Sequence, residues 1–189
     1  MPWLPETRAE ILIKERALRM NVAYFAVRLY KNLEAVQSLV RGVGEEQARW
    51  KPAPEEWSIL EVVNHLYDEE REDFRQRLDL LLHHPDRPWP GIDPEGWAVE
   101  RRYNQRDLET SLNNWLQERQ RSVSWLNGLS APAWEARCEH SPAGKLAAGD
   151  LLASWLAHDF LHLRQLAQLH WQYASLVANP YTVDYAGAW

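Results

Sequence analysis

The chain has 189 residues and a mass of 22.2 kDa, which fits one domain over 1–189 and leaves too little chain for two. Hydrophobic residues at 46% and charged residues at 25% exclude a disordered or collagen-like chain, and the lone Cys138 excludes an internal disulfide framework. The charge balance is 21 basic against 27 acidic residues, net −6 and without Lys/Arg blocks, which excludes the basic face of a nucleic-acid binder.

The N-terminus, Met1 to Glu6, has no basic segment followed by an apolar run, so no secretory leader is expected. Prolines then divide the chain into four long segments free of them, and those are where helices can run. The first, from about Glu6 to Arg41, carries Leu18, Val22, Phe25, Leu29, Leu33, Val36 and Val40 at helical spacing, and Gly42 and Gly44 supply the stop. The second opens on Ser58 with Glu61 three residues on, a capping box, and Trp57 is placed to staple against Val62. Its apolar face continues through Ile59, Val63, Leu66, Phe74, Leu78 and Leu81, with an end near His83.

His84 to Gly96 reads as a proline-rich crossing loop. The third helix is expected from Asn104 or Asp107 to Asn127, with Leu108, Leu112, Trp115, Val123 and Leu126 inward. After turn residues Ser141 to Gly144, the fourth spans about Asp150 to Ala174, and a tail follows from about Ser175. The apolar stretch Leu146 to Leu169 carries Asp150, His158, Asp159, His162 and Arg164, which excludes a simple membrane span. No run alternates with period two, and eleven Trp against three Phe favour helices over a Val-rich sheet. The expected fold is an all-α four-helix bundle in the cytoplasm.

Three of the seven histidines lie on faces that otherwise carry core residues. His65 sits between Val62 and Leu66. His158 and His162 share the stripe of Leu151, Trp155, Gln165 and Leu169. Four residues advance a helix by about 400°, so these two rings stand one turn apart and suit chelation of one ion. His65 is the candidate third ligand, because bundles build metal sites from facing helices. His83, His84, His140 and His170 read as solvated residues of helix ends and loops.

Other chemistries find no support. Asp159 stands where the zincin motif needs Glu, and no third-ligand pattern follows. There is no phosphate-binding loop, dinucleotide fingerprint or nucleophile elbow. Glu139 beside Cys138 weakens the thiol as a nucleophile.

The run from Trp57 to Leu66 resembles the second-helix signature of the DinB/YfiT-like superfamily, and the run from His158 to Leu166 resembles its last-helix signature. The resemblance covers nearly the whole chain. It implies an up-up-down-down four-helix bundle in which His65, His158 and His162 hold a divalent metal ion, Zn or Ni foremost and Fe, Co or Mn otherwise. It also implies a homodimer acting on a small-molecule substrate, with thiol-dependent S-transferases that use bacillithiol or mycothiol among the relatives. The expected activity is thus a metal-dependent S-transfer in which a low-molecular-weight thiol is activated and joined to an electrophile. A metal-dependent hydrolase and a non-catalytic metal-binding or dimerising protein are the alternatives. Glu61 and Asp159 are candidate partners for the imidazoles, and Tyr67, Tyr103 and Arg101 candidates for the mouth of the site.

Overall fold

Asn21 opens the first described helix by accepting a hydrogen bond from the Tyr24 amide, and α1 then runs over Val22–Val40. The computed structural model describes residues 20–140, 144–187 and 189; Leu18 and the turn at 141–143 lie outside them. The capping box forms as read: Ser58 Oγ accepts from the Glu61 amide and Glu61 Oε2 from the Ser58 amide, starting α3 (Ile59–Asp68). A short α2 (Glu45–Arg49) precedes it. Asp107 caps α6 (Leu108–Gly128), and Asp150 Oδ2 accepts from the Ala147 amide at the start of α7 (Ala148–Val177).

The second long helix is not uniform. Between α3 and α4 (Arg75–His83) the backbone widens into a π-turn over Glu69–Phe74, a device that often accompanies functional sites. The proline-rich loop ends in α5 (Pro94–Glu100), with Asp93 as N-cap and proline at N1, where its missing N–H is harmless. A hairpin of β1 (Arg137–His140) and β2 (Gly144–Ala147) leads into α7. The expectation of no strand is corrected here. With most of β1 and β2 exposed or half-exposed, no buried face imposes an alternating pattern on them.

Cross-helix hydrogen bonds give the directions. Asn64 meets Ser111, Glu70 meets Arg119 and Arg75 meets Ser122, so α3–α4 and α6 run parallel. Asn32 meets Asp159 and the Leu39 carbonyl meets His170, so α1 and α7 run parallel as well. His65 against His158, and Glu70 against Trp155, set α3–α4 antiparallel to α7. The bundle is therefore up-down-down-up. The order implied by the resemblance, up-up-down-down, is corrected in this respect. A parallel neighbour needs a long crossover, and the one from α4 to α6 is the proline-rich connection containing α5.

Two apolar clusters fill the bundle. Leu33, Val36, Val40, Val62, Leu66, Leu112, Trp115, Leu166 and Leu169 pack at one end. Ala26, Leu29, Phe74, Leu78, Leu126, Leu151, Leu152 and Trp155 pack at the other. Between these two sets lies a group of polar residues: Asn32, Glu70, Arg119, Asp159, His65 and His162, all buried, with the half-buried His158 beside them. The bundle thus has a polar waist. No described helix is long and apolar enough to cross a membrane.

Candidate metal centre

His65 on α3 and His158 and His162 on α7 converge. Their ligand nitrogens all lie within 4.8 Å of one another, with His158 Nε2 at 3.0 Å from His162 Nε2 and 3.3 Å from His65 Nε2. His65 and His162 are buried and His158 is half-buried. Trp57 packs on the His65 ring at 4.7 Å between centroids, and Phe74 on the His158 ring at 5.0 Å. Phe74 also stacks on Trp155 at 5.8 Å.

Burial sets the protonation state. It pushes His65 down to about 2 and His158 to about 3, and lowers His162 as well. Each ring's repulsion of its neighbours adds to the effect at His65, whereas the hydrogen bond to Gln165 opposes it at His162. All three imidazoles are therefore neutral at pH 7, the form that ligates metals.

The donor count bears on what the site can hold. His162 donates its Nδ1–H to Gln165 Oε1 at 2.8 Å, which leaves Nε2 as a bare lone pair. Its nearest polar neighbour is another imidazole Nε2, and one Nε2–H on His158 serves only one of its two partners. At least one lone pair has no donor. A cation at the convergence point fits this donor set, and three neutral nitrogens suit zinc, nickel, cobalt or iron(II).

The other candidates lie elsewhere. Glu61 is held by its cap and by Lys51, and Asp159 by Arg119 and Asn32, so neither bonds a ring. Gln165, on the histidine stripe of α7, is the partner instead; helical spacing shows its face, and only the fold shows its bond to an imidazole. Tyr103 is buried and donates to Asp68, which Arg101 also grips at 2.6 Å, so both belong to an ion-pair cluster. Tyr67 lies under Arg71.

His170 is a correction too. It sits inside α7, donates Nε2–H to the Leu39 carbonyl at 2.6 Å and accepts from Gln47 at 3.0 Å. It ties α7 to the end of α1 and to α2 instead of standing in water. Cys138 is half-buried, and its thiol is pushed up by burial first, with Glu139 adding to it.

The family model of the DinB superfamily matches residues 28–166. The chain belongs to the DinB superfamily. A search of curated proteins finds no match. Among solved structures the chain is similar to YfiT from Bacillus subtilis, described as a probable metal-dependent hydrolase with an unusual four-helix bundle topology. The TM-score is 0.72 at 15% identity, over 92% of this chain and 93% of that one. At that identity the likeness shows a shared fold. All three histidines fall inside the matched family region.

Proposed function

We propose that this DinB-superfamily chain is a metal-dependent hydrolase whose divalent ion is held by His65, His158 and His162. The observation that carries the reading is the convergence of three imidazole nitrogens, two of them on buried rings, with more lone pairs than protons. A structural neighbour described as a probable metal-dependent hydrolase supports the same direction. Bound there, the ion would act as a Lewis acid that makes water or a thiol more acidic near neutral pH.

The protein's own residues have three tasks. Gln165 fixes the His162 tautomer, so that Nε2 faces the site. Trp57 and Phe74 pack on two of the rings and keep water from that side. Burial holds the rings neutral down to acidic pH, so protons compete poorly for them. Thiol transfer, the activity the resemblance implies, uses the same Lewis acid, and the choice between water and thiol rests with the substrate.

The test is metal titration of untagged protein beside turnover assays. One divalent ion per chain is expected, with His65→Ala, His158→Ala and His162→Ala each weakening binding at least tenfold and His83→Ala and His170→Ala sparing it. The holoprotein should hydrolyse members of an ester and amide panel, and metal removal should abolish this. Rate enhancement only with a thiol from a bacillithiol, mycothiol, glutathione, cysteine and coenzyme A panel replaces hydrolysis by S-transfer. Metal binding without either activity leaves a binding protein. Wild-type protein that takes up no ion overturns the reading.

A further inference from the structure

Three charged side chains are enclosed at the waist of the bundle: Glu70 on the π-turn, Arg119 on α6 and Asp159 on α7, with side-chain exposures of 0%, 1% and 2%. Arg119 joins all of them. Its Nε donates to Glu70 Oε1 at 2.8 Å, and Nη1 and Nη2 donate to the two Asp159 oxygens at 2.6 and 2.7 Å. Nη1 also reaches the Leu29 carbonyl at 3.2 Å. Asn32 donates to Asp159 at 3.0 Å and Trp155 Nε1 to Glu70 at 3.2 Å. The hydrogen bonding closes over four helices.

The charge does not close. One guanidinium faces two carboxylates, which leaves one excess negative charge among side chains almost wholly withdrawn from the surface. An uncompensated buried charge is expensive, and a fold that needed only a lock would do as well with one carboxylate. The location names the compensating partner. Asp159 follows His158 directly and precedes His162 by less than one turn. Trp155, bonded to Glu70, stacks on the Phe74 that packs against His158. Three neutral imidazoles bring no negative charge of their own to a divalent ion, so its full charge would otherwise enter the bundle unmatched.

We propose that the Glu70–Arg119–Asp159 cluster is the fixed counter-charge of the metal site, raising its affinity for a divalent cation without touching it. Glu70, Arg119 and Asp159 are then positioning residues for the ion's charge, and the inference rests on the metal reading above. A charge effect differs from a packing effect in two readouts. It changes affinity without changing ligand geometry, and it scales with the charge of the ion.

The experiment titrates the folded full-length protein with Co²⁺, read by its visible ligand-field bands, with Zn²⁺ by competition, and anaerobically with Cu⁺. The variants are Glu70→Gln and Asp159→Asn, each of which deletes one negative charge at nearly constant shape. Each should weaken Co²⁺ and Zn²⁺ binding tenfold or more with the Co²⁺ band shape unchanged, and weaken Cu⁺ binding by only about the square root of that factor. A smaller loss for the divalent ions, an equal loss for Cu⁺, or altered bands overturns the proposal. If Glu70→Gln fails to fold, Asp159→Asn decides. Failure of both to fold also overturns it, because a counter-charge for the ion should leave the apoprotein standing. Wild-type protein that binds none of the ions overturns the metal reading itself, whereas normal wild-type binding with unaffected variants overturns only this inference.

Discussion

Replacing Glu69 by glutamine should abolish the apoprotein's loss of stability in alkali. Glu69 is 5% exposed, its Oε1 has no hydrogen-bond partner, and burial together with the neighbouring Asp73 pushes its carboxyl up to about 8 from 4.5. Between pH 6.5 and 8 the native state therefore holds a proton that the unfolded chain has lost. Stability falls as pH rises through that window, by about 1.4 kcal/mol per pH unit. Below about pH 6 the histidines act in the opposite direction. The unfolded chain protonates His65 and His158, whose native values are about 2 and about 3 against 6.5, while the native state keeps the Glu69 proton. Two protons taken up less one held leaves one, so stability falls by about 1.4 kcal/mol per unit as pH drops toward 4.5, and the lowered His162 adds to this. Maximum stability is expected near pH 6.5. In Glu69→Gln the alkaline slope should vanish and the acid slope should rise to about 2.7 kcal/mol per unit or more. Urea unfolding at pH 5, 6.5 and 8 with a chelator present, followed by far-ultraviolet circular dichroism, measures all of this. A variant that keeps the wild-type alkaline slope would refute the reasoning, as would wild-type protein that gains stability from pH 6.5 to 8.

Two further substitutions probe the frame that carries the site. Leu152→Ala removes a fully buried side chain from the cluster around Trp155 and should cost about 2–5 kcal/mol in urea unfolding, with the three-histidine spacing retained. Ser58→Ala deletes one half of the capping box and should cost about 1 kcal/mol, seen as a lower midpoint at unchanged m-value.

The starts of α3 and α6 were legible in the sequence because a cap is a local device: Ser58 with Glu61, and Asp107 with the Thr110 amide, need nothing beyond their own turn. The inward faces were legible for the same reason, since spacing along one helix sets them, and this put His158 and His162 on one stripe and His65 on another. What spacing along a helix cannot encode is which helices meet, at what height and in which direction. The up-down-down-up order, the tie from His170 to Leu39 and the π-turn that turns Glu70 toward Arg119 follow from contacts between residues far apart in the chain. Asp159 shows the division most clearly. Its place beside a ligand pointed to an imidazole partner, yet a guanidinium on α6 offers two parallel charge-assisted bonds, which a ring nitrogen cannot match. The sequence alone determined helix faces and ends, and with them the residue types available for a metal. Only the tertiary structure decided that three rings meet at one point beside a buried, incompletely balanced charge, because Coulomb forces and desolvation depend on distance in space.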